Sequence, residues 1–311
     1  MQKKLYKWLR GYWMLDYVYL GLYKFFAIVL KILPHAVIQK MMYAIAWLAY
    51  TLSAKQRKRI THNLSLAYAD TFTKKEQKEI GIHAFMNLLD TVFGIVKRDG
   101  LAKDKVLEHV TFEGCDIIEK YKEEGKNFIL ITGHYGNWEL LSQSIAIKCG
   151  LTLVGVGRKI DSDVMNEILK KNREQFNVEM VYKKGALKDC IKVINQDKVV
   201  GILTDQAIRK NQSIDVSFFG VKATHTPLAS ILSRKFNLDL IPAYISTEDY
   251  QNYKVTIHTP IKTIKTDKQE EDLAILTQLQ ADVMEDVIKE NPKQWFWMHR
   301  RWKGFDSNDE K

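Results

Sequence analysis

The stretch Phe128-Ile-Leu-Ile-Thr-Gly-His134-Tyr-Gly-Asn137-Trp-Glu139-Leu-Leu141 decides how the chain is read. Its opening, Phe128 to Ile131, is short, apolar and mostly β-branched, which predicts a buried strand. Thr132 and Gly133 end that strand and leave His134 at its carboxyl end. Asn137 is a good helix N-cap, so Glu139 falls in the first turn of a helix running to about Lys148. Strand, glycine turn and helix make a βα unit, and in open α/β sheets sites form outside the carboxyl ends of strands.

A histidine, with an unperturbed pKa near ~6.5, can take a proton at neutral pH. A glutamate bonded to its far ring nitrogen would fix the tautomer and stabilise the imidazolium, the part a carboxylate plays in a Ser-His-Asp triad. No Ser or Cys in the stretch is placed as a nucleophile, and Ser142 and Ser144 lie further along the helix. The simplest use of a His134–Glu139 dyad is to deprotonate a hydroxyl on the substrate. The spacing alone also fits a loop histidine beside a surface glutamate; the glycines and the strand-to-helix context favour a site.

Composition sets outer bounds. The 311 residues are 46% hydrophobic with 5 prolines, enough for a sizeable core in one large domain or two small ones. A net charge of +10 fits an anionic partner, either nucleic acid or a negatively charged membrane leaflet. Cys115, Cys149 and Cys190 are scattered and lack metal-ligand spacing, so a reduced, cytosol-facing protein is expected rather than a disulfide scaffold.

The amino terminus opens with a basic, aromatic lead (Met1 to Arg10), followed by apolar runs from Tyr12 to Leu33 and from Ala36 to Leu52. The first run has the length of a spanning helix but carries Asp16, Lys24 and Lys31. A membrane anchor, an interfacial helix and a core helix all remain open for it, and the second run is expected to pack beside it. Lys55-Gln-Arg57-Lys58-Arg59 then returns the chain to water at an anionic surface, or forms a solvated helix face. Thr73-Lys-Lys-Glu76 has the form of a capping box and opens a helix with an apolar stripe.

Further strands deliver polar groups. Leu151 to Val156 ends at Gly157-Arg158, and Arg158 can offer a bidentate fork to a phosphate or a developing oxyanion. Val199 to Thr204 ends at Asp205-Gln206, where Asp205 can position substrate hydroxyls, support the dyad or merely cap a turn. Leu238–Ile245 and Tyr253–Thr259 read as two more strands, the second alternating as an edge strand would. A long helix spans Gln269 to Glu290, and Pro292 follows it. The chain then closes with Gln294-Trp-Phe-Trp-Met-His299-Arg300-Arg301-Trp-Lys303, aromatic bulk joined to a compact cationic cluster suited to phosphates or an acidic protein surface.

The string Gly133-His-Tyr-Gly-Asn-Trp-Glu139 resembles the signature of the late acyltransferases of lipid A biosynthesis, the lauroyl/myristoyl transferases. These sit within the wider lysophospholipid and glycerol-phosphate acyltransferase group, whose motif is His, four residues, then an acidic residue. The likeness runs from about Leu20 to Lys303. It takes in Arg158, Asp205-Gln206, Val216-Ser-Phe-Phe-Gly220, Thr226-Pro-Leu-Ala229 and the terminal Trp295-x-x-x-His299-Arg-Arg301. Lys159 and Ile160 stand where the family has Pro and Asn, which leaves the shape of that loop open.

The resemblance implies an α/β fold, a central mixed sheet flanked by helices of the glycerol-phosphate acyltransferase kind. Residues 1–53 would form a membrane-associated helical region and residues 54–311 the catalytic domain. It implies transfer of a fatty acyl group from acyl-carrier protein to a hydroxyl of the Kdo-bearing lipid A precursor, with His134 and Glu139 catalytic. Arg158, Asp205, Gln206, Asn137, His299, Arg300 and Arg301 would bind substrate. No metal or cofactor is expected, nor any nucleic acid. Anionic inner-membrane lipids would be contacted from the cytoplasmic face by a monomer. The rivals are acylation of a lysophospholipid or other glycolipid, and a non-catalytic membrane- or RNA-binding protein. Acyl length and the acylated hydroxyl stay open.

Overall fold

The computed structural model describes residues 12–160, 162–182 and 185–305. The basic lead, Asp161 and the Lys183-Lys184 pair lie outside the described residues. Five helices come first: α1 (Tyr12–Ile32), α2 (His35–Leu52), α3 (Ala54–Tyr68), α4 (Lys74–Arg98) and the short α5 (Lys103–Leu107). Strands and helices then alternate: β1 (Val110–Glu113), α6 (Cys115–Glu123), β2 (Ile129–Thr132), α7 (Trp138–Cys149), β3 (Leu153–Gly157), α8 (Asp163–Glu174), β4 (Val178–Tyr182), α9 (Ala186–Ile194) and β5 (Val199–Leu203). A hairpin of β6 (Ile214–Phe218) and β7 (Val221–His225), then α10 (Leu228–Phe236), β8 (Leu240–Thr247), β9 (Tyr253–Ile257) and α11 (Gln269–Glu290) complete the order.

Seven strands form one sheet in the order β1-β9-β8-β2-β5-β3-β4, while β6 and β7 pair apart from it. From β8 to β4 the neighbours run parallel; β9 lies antiparallel to β8, which makes the sheet mixed. β9 was expected at an edge, but β1 pairs with it in parallel and takes the edge instead. Its alternating pattern reflects one polar face, not an unpaired side. β2 is central, and all four of its residues are buried, as a strand covered on both faces should be. The chain leaves β2 toward β3 and β4, returns as β5 beside β2, and later places β8 on the other side. Such a switch point opens a crevice at the carboxyl ends of the strands.

The first four helices are not a separate layer. Ile38, Met42 and Ala46 of α2 share one buried cluster with Ile60 and Leu64 of α3, Met86 and Phe93 of α4, and Trp295 and Trp297. Each Ile, Leu, Met or Phe side chain among them contributes roughly 1.5–3 kcal/mol when buried. The cluster therefore runs across the boundary expected at residues 53 and 54. α1 and α2 each pack on α4, the helix opened by the capping box: Thr73 accepts from the Glu76 N–H, and the Glu76 side chain reaches back to the Thr73 N–H. Among the described residues α4 is the one helix long and apolar enough to cross a membrane, and it is mostly buried within the fold. The run Lys55 to Arg59 lies inside α3 and is not a connecting segment; its five residues wind around more than one turn, with Lys55 and Lys58 exposed and Arg57 and Arg59 half-buried.

The outward faces of α1 and α2 are apolar. Tyr17, Phe25, Ile28 and Ile32 of α1 and Tyr43, Trp47 and Leu52 of α2 are all exposed, Ile32 at 75%. Scattered surface hydrophobes need no explanation, but a contiguous group on neighbouring helices marks a contact surface.

Candidate active site

The pairing of β2 with β5 builds the site. Thr132 stands opposite Leu203 in the parallel register, and the Thr204 N–H bonds to the Thr132 carbonyl at 2.9 Å. His134 and Asp205 each follow two residues beyond those partners, so they meet side by side above the sheet. The Nδ1 of His134 lies 2.8 Å from Oδ1 of Asp205. The other carboxylate oxygen accepts from the His134 backbone N–H at 3.0 Å and from the Trp295 indole N–H at 3.0 Å. Asp205 is 3% exposed. Burial pushes its carboxyl up, but the His134 charge and these three hydrogen bonds together hold it well below the usual carboxylate range.

This differs from the expected dyad. Glu139 sits in the first turn of α7, as its spacing predicts, but its carboxylate is held by Arg173 from the last turn of α8. Arg173 donates from Nε at 2.9 Å and from Nη2 at 2.5 Å. Both side chains are largely buried, at 11% and 16% exposure. The direct partner of the His134 ring is Asp205, with Glu139 bound one helix away. Asn137 also turns inward: it is fully buried, accepts from the Leu140 N–H at 3.0 Å as N-cap, and donates to the Asp90 carboxylate at 2.8 Å. It fixes the loop and does not face a substrate.

With Nδ1 donating to Asp205, the lone pair of the imidazole lies on Nε2. The Gln206 amide nitrogen approaches Nε2 at 3.2 Å. Trp138 and Phe296 flank the ring at centroid distances of 5.0 and 6.0 Å. The His134 side chain is 21% exposed, so the ring is walled by aromatics yet reachable. Two glycines allow the tight turn. A Cβ at Gly133 would meet Met284 and Asp205, and one at Gly136, where φ is +54°, would run into the Ile245 carbonyl.

The terminal segment straps the site down. The Phe296 N–H donates to the His134 carbonyl at 3.0 Å, and the Gly136 N–H to the Gln294 carbonyl at 2.9 Å. His299 Nε2 accepts from the Ala207 N–H at 3.0 Å, steadying the loop that carries Asp205 and Gln206. Burial pushes the His299 imidazole down to about 4, aided by the cationic neighbours His134, Arg301 and Arg59 and opposed by Asp205. Arg301 was expected at a substrate phosphate, but it is fully buried. It donates to the Thr224 carbonyl and to His225 Nδ1, and lies 4.6 Å from the Phe218 ring centroid. Arg300 is exposed, as is Arg158, which follows β3 on the same rim one strand beyond β5.

Among the described residues no cluster of His, Cys, Asp and Glu could hold a metal ion. The strap's tie between Trp295 and Asp205, the Arg173–Glu139 pair and the Asp90–Asn137 bond had no local signal in the sequence, because each joins residues at least 34 positions apart.

These parts define a mixed-sheet α/β class with a carboxylate-backed histidine at the carboxyl end of its central strand. The model of the bacterial lipid A biosynthesis acyltransferase family matches residues 7–304, and the chain belongs to that family. A lipid A biosynthesis acyltransferase of Haemophilus influenzae is 23% identical over 90% of this chain and 86% of its own length. The lipid A biosynthesis lauroyltransferase of Escherichia coli is 22% identical over 87% of each chain. The palmitoleoyltransferase of the same organism is 20% identical over 61% of this chain and 60% of its own.

Proposed function

We propose that this chain transfers a fatty acyl group from an acyl-carrier protein thioester to a hydroxyl of the Kdo-bearing lipid A precursor. The observation that carries the reading is the His134–Asp205 pair at 2.8 Å, which leaves Nε2 as the base inside an aromatic-walled recess. Nε2 takes the proton of the acceptor hydroxyl once the Gln206 amide yields its place. The freed oxygen attacks the thioester carbonyl, forming the C–O bond, and the oxygen of the tetrahedral intermediate carries the charge. That oxyanion needs donors in fixed positions; the Gln206 amide, displaced by the acceptor, and Arg158 on the rim are the candidates. Collapse breaks the C–S bond, and the leaving thiolate receives the proton from the His134 imidazolium. Asp205 stays ionised throughout and stabilises that imidazolium.

The acyl chain needs an apolar slot. A cleft of about 290 Å³ lies between α1, α4 and α8, lined by Leu22, Phe26, Leu30, Val92, Phe93 and Met165. α8, which supplies Met165 to the cleft, begins five residues after Arg158 in the chain. The exposed apolar faces of α1 and α2, with the cations of α3 beside them, suit burial in the interface of an anionic leaflet. On this reading the enzyme works at the cytoplasmic face of the inner membrane, a location that such an apolar and cationic surface supports.

Purified protein given lauroyl-, myristoyl- and palmitoyl-carrier protein, with the Kdo-bearing precursor or lysophosphatidic acid as acceptor, tests the reading. A mass gain on the glycolipid alone is expected. Product on lysophosphatidic acid alone would keep the chemistry and overturn the acceptor.

A further inference from the structure

Arg301, buried under the hairpin, cannot reach a substrate, so the cations that can do so near His134 must lie elsewhere on the rim. Arg59 of α3 is one of them. Its Nη1 donates to the Met298 carbonyl at 3.1 Å and to the Gln56 side-chain oxygen at 3.2 Å. One turn on, Asn63 donates to the Trp297 carbonyl at 2.8 Å and the His299 carbonyl at 2.7 Å. The two residues share a face of α3, since i and i+4 do in a helix, and together they hold the strap. A short path then leads to the base: His299 holds Ala207, and the adjacent Gln206 touches His134.

The hydrogen-bond partners of Arg59, Gln56 and the Met298 carbonyl, are neutral, and among the described residues it forms no ion pair. It is half-buried. Burial first, and then the like charge of Arg300, both work against its positive charge. A guanidinium kept charged in partial burial, next to a second guanidinium, is a fork waiting for a dianion. Arg57 of the same helix points elsewhere, to the Tyr50 and Thr51 carbonyls at the carboxyl end of α2, away from the strap.

We propose that Arg59, with Arg300 beside it, forms an anion site that grips a substrate phosphate while His134 acts on the neighbouring hydroxyl. The site rests on the acyl-transfer reading, because both use one rim. It gives the cationic face of α3 a task in orienting substrate. Two sources of phosphate are available in that reaction: the phosphorylated glycolipid acceptor and the phosphodiester of the carrier protein's prosthetic arm.

Inorganic pyrophosphate is the first probe, followed by its effect on the melting temperature. Wild-type protein should be stabilised, and Arg59→Ala should weaken the apparent affinity about tenfold to a hundredfold, the usual loss for a charge-assisted bond. Lys58→Ala, an exposed cation of the same helix, should leave that affinity as it is. This readout needs no turnover, so a failed anion site is distinguishable from a failed acyl-transfer reading. Steady-state kinetics then name the source. A rise of similar size in acceptor KM, with kcat little changed, assigns the site to the acceptor phosphate. The same rise in donor KM assigns it to the prosthetic-arm phosphodiester. Arg59→Lys should recover part of the loss, and Arg59→Gln, which keeps a donor for Met298, serves if the alanine variant does not fold. Unchanged pyrophosphate affinity in the folded Arg59 variants would overturn the proposal. So would an equal loss of kcat/KM on acceptors with and without phosphate while donor KM stays at its wild-type value.

Discussion

Asp205→Asn separates the two carboxylates that could serve His134. The carboxylate accepts three hydrogen bonds, from His134 Nδ1 at 2.8 Å, from the His134 N–H at 3.0 Å and from Trp295 at 3.0 Å. An asparagine has one acceptor oxygen and one amide group in its place. If the oxygen serves Trp295 and the His134 N–H, the amide points at Nδ1 and forces the imidazole proton onto Nε2. The lone pair then faces away from the acceptor hydroxyl. The opposite flip sets the amide against two N–H donors and leaves them unpaired in a buried place. Either way the imidazolium loses a charge-assisted bond worth roughly 1.5–3 kcal/mol, and the wrong tautomer adds to that. A fall in kcat of up to about 10⁴-fold is expected, the drop seen when a triad carboxylate becomes an amide. The assay is thiol release from lauroyl-carrier protein across pH 6 to 9, with circular dichroism as the check on folding. Glu139→Gln should behave differently. It strands Arg173 in a largely buried position, so the melting temperature should fall while kcat falls less than in Asp205→Asn. Turnover of Asp205→Asn within tenfold of wild type, beside an inactive but folded Glu139→Gln, would refute the reasoning and return the orienting role to Glu139.

Three further outcomes follow from particular contacts. Arg301→Ala leaves the Thr224 carbonyl and His225 Nδ1 without a donor, so it should destabilise the fold by roughly 2–5 kcal/mol in urea unfolding and lower kcat without raising acceptor KM. His299 and His225 are pushed down to about 4 and about 3, in both cases chiefly by burial. Their folded pKa values lie below the unfolded value, so above about pH 6.5 their neutral forms cost nothing. Between 6.5 and 4 the unfolded chain binds two protons that the folded chain does not. Stability should therefore fall with pH across that window at up to about 2.7 kcal/mol per unit, and His299→Gln should roughly halve the slope. Finally, Phe25→Glu with Ile28→Glu on the exposed face of α1 should sharply reduce co-sedimentation with anionic vesicles, whereas unchanged binding would place the contact elsewhere.

Much of the local structure was legible because its signals are local. The capping box at Thr73, the N-cap at Asn137 and the helix from Gln269 to Glu290 all stand where their residues predict them. The positions of His134 and Asp205 at strand ends were legible too. Their adjacency was not, because it depends on β5 returning beside β2, and strand order leaves no periodic trace in a single chain. Glu139 illustrates the same limit. Its spacing from His134 was correct, yet Arg173, 34 residues away, determines what its carboxylate does. The run Val216 to Gly220 is legible only through its likeness to a family motif. Only the partner run Val221–His225 shows that it is half of a hairpin. Arg301 read as a surface cation by composition, and only the roof of Phe218 and Thr224 reveals that it is interior.

The most direct test of the central claim is transfer from acyl-carrier protein to the Kdo-bearing precursor by His134→Ala, followed by mass spectrometry of the glycolipid. Loss of product in a variant with the wild-type circular dichroism spectrum is what a base at His134 requires. Product formed at a rate near wild type would contradict it, and the proton of the acceptor hydroxyl would have to leave by another group.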